Sequence, residues 1–385
     1  MIAAGVMSGT SLDGIDAACV EIEPDGNAYR IRVLDFATTA WDASLRARVL
    51  DALPPNPGNI AELARLHAEA GRAFGLAARA IAGGRRLDYV ASHGQTIFHD
   101  GDAGVTLQIG DAFAIREAAL ATVCYDFRSA DCAAGGHGAP LVPYFDQLAL
   151  RDVSEDRVAL NIGGIANVTL LPRGGARDPG VVAFDTGPGN MLLDAFVAAR
   201  SGGAERMDEN GALAASGAVD AALFERMIGD GYFARPAPKT TGRERFGAGF
   251  LAAHRDALER LSPGDGAATL LEVTAASIAD AIEASGFGRA HVLASGGGAR
   301  NGRLMERLAA RLPAARVETT EAMGVPVEAK EAIAFALLGY ETLRGRAANV
   351  PSATGARAAV LLGAIAPYEL GALLERMDRE CRASS

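Results

Sequence analysis

Four glycine-rich turns stand where the chain could do chemistry on an anion: Gly9-Thr10-Ser11, Gly163-Gly164, Gly187-Pro188-Gly189-Asn190 and Gly296-Gly297-Gly298. Each follows an apolar stretch that reads as a β-strand. Glycine permits positive φ and lets main-chain N–H groups converge, so such a turn can cradle phosphate, or can be no more than a tight strand exit. Four of them, distributed over two similar halves, favour phosphate. In GPGNMLLDAFV a helix begins at the turn, so its first amides and its dipole are expected to help hold the anion. Other nucleotide signatures are missing. The chain has no G-x-x-x-x-G-K-[ST], and GGGARNG lacks the glycine spacing of a dinucleotide fingerprint, which argues against a Walker NTPase and a Rossmann dehydrogenase.

The elements that must position these turns follow from hydrophobic period. IAAGVMSG, a polar turn TSLDG and IDAACVEIE read as a hairpin, and IRVLDFATTAW as a third strand. From Ile60 to Ile81 apolar residues recur at helical spacing, and YVASHGQT then reads as a strand ending in a loop. Strand, helix, strand predicts a mostly parallel sheet. The pattern reopens with VALNIGGIANVTLL, VVAFDTGPG and the helix NMLLDAFVAARSG, and again with AHVLASGGG and the helix through RLMERLAARL. RGGARDPG is the clearest surface loop. The crossover between lobes is expected between Arg128 and Asp156, giving lobes of residues 1–128 and 129–385, with the extreme C-terminus packing back on the first.

Composition agrees with two lobes. A chain of 385 residues exceeds the usual single domain of ~100–200 residues, and 49% hydrophobic with 22% charged residues describes a folded α/β protein. A formal charge of −10, with Lys239 and Lys330 the only lysines, argues against nucleic-acid binding. Cys19, Cys124, Cys132 and Cys381 lack paired short spacing, so neither zinc nor a disulfide framework is indicated. The N-terminus lacks the basic region of a signal peptide, and no run reaches the ~20 apolar residues of a membrane helix. The expectation is a soluble cytoplasmic protein with no membrane partner.

Taken together, GVMSGTSLDGIDAA, SHGQTIFH, LQIGD, DFR, GGHGAPLVP, NIGGIANVT, FDTGPGNMLLD, PKTTGRERF, SGGGARN and EAIAFALLG resemble the 1,6-anhydro-N-acetylmuramic acid kinase family, in order and over nearly the whole chain. The resemblance implies an α/β, two-lobed actin/hexokinase/Hsp70-like (ribonuclease H-like) ATPase fold with an inter-lobe cleft. It also implies an ATP- and Mg²⁺-dependent phosphotransferase that opens the 1,6-anhydro ring by hydrolysis and phosphorylates O6, in peptidoglycan recycling, as a homodimer. Ala237 and Arg245 depart from the family pattern in an expected loop.

On that resemblance Asp185 is the candidate general base, a carboxylate at a strand end that can take a proton from water attacking the anomeric carbon. Its alternative is a helix cap or turn residue. The segment Ser8, Gly9, Thr10, Ser11, Leu12, Asp13, Gly14, Ile15 and Asp16 is expected to bind ATP, with Asp13 the better candidate for Mg²⁺ and simple hairpin-turn chemistry the alternative for both aspartates. Gly163, Gly164, Gly187, Gly189, Asn190, Gly296, Gly297, Gly298 and Asn301 complete the nucleotide set, with helix packing as the competing role of the last turn. His93, Gln95, Thr96, Arg128 and Glu331 are expected at the sugar, a small-molecule substrate. Arg128 could grip its lactyl carboxylate in a fork, or pair with Asp126 or Asp131; His93 could equally be a satisfied buried histidine. His137, in HGAPLVP, is expected at the lobe junction. Two other functions fit the same turns: a kinase acting on a simple hydroxyl without ring opening, and an actin- or Hsp70-like ATPase with no small substrate.

Overall fold

β1 (Ile2–Ser8) is buried almost throughout, as a central strand must be, and pairs antiparallel with β2 (Ile15–Asp25). β2 pairs in turn with β3 (Ala28–Thr39), which is half exposed along its length and closes the meander as an edge. The helix Ile60–Ile81 begins at Asn59, whose side chain accepts from the N–H groups of Ala61 and Glu62. It buries Leu66, Ala70, Phe74 and Ala78 on one face, the period its sequence shows. β4 (Tyr89–Asp100) then lies parallel to β1, with β5 (Val105–Ile109) antiparallel to it and β6 (Thr122–Tyr125) parallel on its other side. The computed structural model describes residues 1–9, 11–25, 28–56, 58–177 and 179–383.

A second meander, β7 (Arg157–Ile162), β8 (Ile165–Leu171) and β9 (Val182–Pro188), leads into the helix Met191–Arg200. β10 (His291–Ser295) and β11 (Arg316–Thr319) extend it as parallel strands from the β7 side. The order β9-β8-β7-β10-β11 repeats the order β3-β2-β1-β4-β6 of the first sheet. In each, a three-stranded antiparallel meander is continued by two parallel strands, the ribonuclease H-like pattern that the expected fold class contains twice. In each, too, the turns of interest leave the carboxyl ends of the parallel strands, where open α/β sheets bind ligands.

The chain divides into Met1–Ala149 with Ala329–Ser385, and Leu150–Glu328. The boundary stands at Ala149, inside the crossover expected between Arg128 and Asp156 but past the lobe limit of residue 128, and the residues from Ala329 onward belong to the first unit, not only the extreme C-terminus. The physical reason lies in the helix Lys330–Leu343, buried along nearly its whole length. At Gly5 of β1 an added Cβ would lie 1.8 Å from the Ala332 carbonyl oxygen, so only glycine lets helix and strand approach so closely. Tyr89 of β4 donates its hydroxyl to the Ala336 carbonyl at 2.8 Å. β12 (Ala364–Ala366) then adds to the β6 edge, and the helix Leu370–Ala383 is tied down by Arg376 on Asp88 at 2.8 Å. No helix among the described residues is long and apolar enough to cross a membrane.

Candidate active site

In the first unit the β1–β2 turn is braced from within. Ser8 is buried; its hydroxyl donates to the Gly14 carbonyl at 2.8 Å and accepts from the Trp41 indole N–H at 3.1 Å. Leu12 is fully buried in the left-handed region (φ 54°), its N–H donating to the Gly9 carbonyl and its own carbonyl accepting from Arg46 Nε at 2.7 Å. Both main-chain groups of Leu12 are thus spent within the protein, and its side chain is core; it has nothing left for ATP. Ile15 is likewise a core side chain, and Gly14 is glycine because Thr38 Cγ2 would lie 2.4 Å from a Cβ there. The groups that remain outward are Gly9, Ser11 and Asp13, while Thr10 lies outside the described residues. Asp16, half-buried on β2, accepts from Thr38 Oγ1 at 2.6 Å.

At the end of β4 in the same unit, Arg128 and His93 define each other. Arg128 Nε–H donates to His93 Nε2 at 3.0 Å, so that nitrogen must be an acceptor and the imidazole neutral. The proton then sits on Nδ1, 3.0 Å from the Gly94 carbonyl. Burial, then the Arg128 charge, hold the His93 pKa well below its usual value, and the ring leans on Phe335 at 4.7 Å. His93 is a satisfied buried histidine whose work is to aim Arg128. Arg128 Nη1 donates to the Gly138 carbonyl at 2.7 Å, and no carboxylate among the described residues forms an ion pair with the guanidinium. Asp131 is instead taken by the Gly138 N–H, Asn349 and Thr354, and Asp126 by Ser129. Arg128 therefore has a half-buried charge to offer an outside anion. Thr96 accepts from Gln108 Nε2 at 3.2 Å, and Gln95 is fully buried with its amide on the Gly9 carbonyl. Glu331 opens the helix Lys330–Leu343. Burial raises its pKa, Lys330 and Arg128 oppose that, and the charge of Asp16 adds to it. A pocket of about 160 Å³ opens beside His93, lined also by Ser92, Gln108, Asp126 and Ser129.

In the second unit, Asp185 lies on β9 two residues before Gly187. Its N–H donates to the Lys239 carbonyl at 2.9 Å, its carbonyl accepts from the Tyr232 hydroxyl at 2.7 Å, and its Oδ2 accepts from the Thr241 N–H at 2.9 Å. Oδ1 has no protein partner among the described residues. Burial is the main reason its pKa is pushed up to about 6; the Thr241 N–H pulls down and Glu244 pushes up. A carboxylate with a pKa near working pH, one oxygen fixed and the other open, is suited to accept a proton. Tyr232, Lys239 and Thr241 were not singled out from sequence, although Lys239 and Thr241 lie in the quoted PKTTGRERF; their role depends on a loop folding back on β9. Lys239 Nζ donates to the Tyr232 and Phe233 carbonyls at 3.2 and 3.0 Å and sits 4.7 Å from the Tyr232 ring centre, which ties that loop together.

The glycine turns of this unit converge but do unequal work. The N–H groups of Gly189 and Met191 donate to the Gly164 carbonyl and that of Asn190 to the Gly163 carbonyl, at 2.8–3.2 Å. The amides of Gly189, Asn190 and Met191 are thus engaged by the β7–β8 turn, which leaves any phosphate contact at this helix to the amides beyond Met191. Gly187, Gly189, Gly296 and Gly298 are glycine because a Cβ would strike Phe233, the Gly163 carbonyl, Asn161 and Ile162 respectively, at 2.2–2.7 Å. Asn301 caps the helix Gly302–Arg311, accepting from the Leu304 N–H at 3.0 Å. Gly163 donates its N–H to the Ile165 carbonyl at 3.2 Å; Gly164 and Gly297 are exposed, and the Asn190 side chain lies 4.0 Å from where a Cβ on Gly297 would be. A further pocket of about 150 Å³ among Leu271, Glu272, Arg303 and Arg307 is lined by none of the expected residues. No three His, Cys, Asp or Glu side chains gather as a metal site among the described residues.

The family profile described as anhydro-N-acetylmuramic acid kinase matches residues 1–368. The chain belongs to that family. Similar anhydro-N-acetylmuramic acid kinases include one from Streptomyces coelicolor, 44% identical over 94% of this chain and 93% of the relative, and one from Xanthomonas axonopodis pv. citri, 46% identical over 94% and 97%. A third, from Rhodococcus erythropolis, is 41% identical over 95% of this chain and 94% of its own. Membership in the anhydro-N-acetylmuramic acid kinase family makes the chain a phosphotransferase. Solved structures show a remote likeness only. The activator of the 2-hydroxyisocaproyl-CoA dehydratase from Clostridium difficile, with bound ADPNP, is 13% identical with a TM-score of 0.41, covering 89% of this chain and 95% of its own. A ROK family glucokinase from Streptomyces griseus, in complex with glucose and AMPPNP, is 13% identical with a TM-score of 0.39, covering 89% and 100%.

Proposed function

We propose that the chain opens the 1,6-anhydro ring of 1,6-anhydro-N-acetylmuramic acid with water and phosphorylates O6 in the same event, giving N-acetylmuramic acid 6-phosphate and ADP for cell-wall recycling. The carrying observation is Asp185: a carboxylate pushed up to about 6, with Oδ2 anchored by the Thr241 N–H. Asp185 Oδ1 takes the proton of a water whose oxygen bonds to the anomeric carbon. The bond from that carbon to O6 breaks, its electron pair goes to O6, and O6 bonds to the γ-phosphorus as the bond to ADP breaks. An ordinary inverting glycosidase needs a second carboxyl group to protonate the departing oxygen. Here phosphoryl capture removes that need, which agrees with a single poised carboxylate beside the β9 turn.

Arg128, aimed by His93 and lacking an ion pair, supports binding of the lactyl carboxylate, and Thr96 and Glu331 offer neutral and acidic contacts to the ring. Gly9 and Ser11 in the first unit, and exposed Gly164 and Gly297 in the second, are the main-chain positions left to bind phosphate, whereas Gly163 spends its N–H on the Ile165 carbonyl. Mg²⁺ usually takes one or two carboxylates, with water and phosphate oxygens completing its shell, so exposed Asp13 with nearby Asp16 fits it without a preformed cage. Once bound there it would neutralise charge on the phosphates. A cytoplasmic homodimer belongs to the same reading, on family membership alone.

The test is the reaction run in ¹⁸O-labelled water. Label on the anomeric hydroxyl of a 6-phosphorylated product, with one ADP per sugar, supports the proposal. Unlabelled phosphorylated product with the ring intact overturns it in favour of simple hydroxyl phosphorylation.

A further inference from the structure

Gln95 ends the parallel pairing of β4 with β1, opposite Ser8, and is fully buried. Its amide nitrogen faces two main-chain carbonyls, Gly9 O at 3.3 Å and Thr96 O at 3.2 Å. Two acceptors at that end fix the orientation of the amide, because an oxygen there would face two carbonyl oxygens. Oε1 is consequently turned away from them, and it is buried with no hydrogen-bond partner. Buried polar atoms are nearly always paired, so Oε1 calls for a donor from outside the chain, a water or a ligand hydroxyl. Phosphate oxygens are acceptors and cannot serve; a hydroxyl can.

We propose that Gln95 couples the two substrates: a hydroxyl of the sugar donates to Oε1, and the amide so fixed braces the Gly9 carbonyl and with it the phosphate turn. The inference rests on the kinase reading above and deepens it. Ser8 and Leu12 brace the turn from within, and Gly9 lies on its outer side. A Cβ at Gly9 would meet nothing nearer than Ser11 Oγ at 3.8 Å, so packing does not hold the main chain there. Among the described residues the Gly9 carbonyl is held by the Leu12 N–H at 3.2 Å and by Gln95. An amide tied at its nitrogen end only can swing; tied at both ends it cannot. By linkage, sugar and nucleotide must then tighten each other by the same factor.

The test measures calorimetric binding of a non-hydrolysable ATP analogue to the full chain, with and without saturating anhydro sugar. The wild type is expected to bind the analogue about 5- to 20-fold more tightly with sugar present. In Gln95→Met that factor falls to about 1–2, while analogue binding without sugar stays within about threefold. Gln95→Glu keeps an acceptor but loses the donor to Gly9, so it retains sugar binding better than the methionine variant and still loses coupling; it decides the matter if Gln95→Met fails to fold by thermal melting. Coupling that survives in the folded variants, or wild-type chain that binds both ligands with no coupling, overturns the role of Gln95 alone. Wild-type chain that binds neither ligand overturns the kinase reading and this inference with it.

Discussion

The Thr241 N–H holds Asp185 Oδ2 at 2.9 Å across 56 residues of sequence. That single bond decides which carboxylate oxygen is anchored and which is presented. It also opposes the burial that pushes the Asp185 pKa up to about 6, keeping the group ionised at neutral pH.

Activity should therefore rise with pH. A base must be deprotonated, so kcat/KM for the sugar is expected to climb through about pH 6 and level off above it, in a profile measured at constant ionic strength. Asp194, pushed up to about 6 by burial and by Asp208, is the control. Asp194→Asn should keep the same rising limb; its disappearance in that variant would transfer the titration to Asp194.

Stability should move the opposite way. The folded-state pKa of Asp185 lies above its unfolded value of 3.8, so the cost of its buried charge is fully present above pH 6 and vanishes as pH falls through 6 towards 3.8. Asp185→Asn, which still accepts from Thr241, should be more stable than wild type by about 1–3 kcal/mol at pH 8. Urea melts should show that gap closing below pH 4.

Arg128 should read the lactyl carboxylate. Arg128→Lys loses the planar fork and is expected to raise the sugar KM about 10- to 100-fold with kcat little changed. The same substitution should scarcely alter KM for an anhydro-N-acetylglucosamine, which has no lactyl group. Equal losses for the two sugars would remove the assignment.

Two adjacent glycines should separate function from packing. Gly298→Ala places Cβ 2.3 Å from Ile162 Cγ2 and should destabilise the fold by about 1–3 kcal/mol. Gly297→Ala meets nothing closer than Asn190 Nδ2 at 4.0 Å, so it should melt like wild type. Its KM for ATP should nevertheless rise several-fold, because the added methyl occupies the open face of the turn.

These contrasts show what the sequence discloses and what it withholds. Helix Ile60–Ile81 is legible residue for residue because its apolar period and Asn59 cap are local signals. The meanders and their glycine turns are legible for the same reason, but the mostly parallel sheet expected from strand, helix, strand is corrected, since each meander pairs antiparallel. What each glycine does is not, since Gly189 answers to a carbonyl 26 residues earlier and Gly5 to a helix near the other end of the chain. The return of residues 329–385 to the first unit is hidden likewise: a buried helix reads the same whichever sheet covers it. Asp185 could be found by its place beside a glycine turn, but its anchors Thr241 and Tyr232 depend on a fold-back that no local pattern encodes.

The most direct test is single-turnover kinetics of Asp185→Asn with ATP and the anhydro sugar, alongside equilibrium binding of each. Both ligands should bind within about threefold of wild type while the rate of product formation falls about 10²- to 10⁴-fold. A rate within tenfold of wild type, with binding intact, would contradict Asp185 as the base.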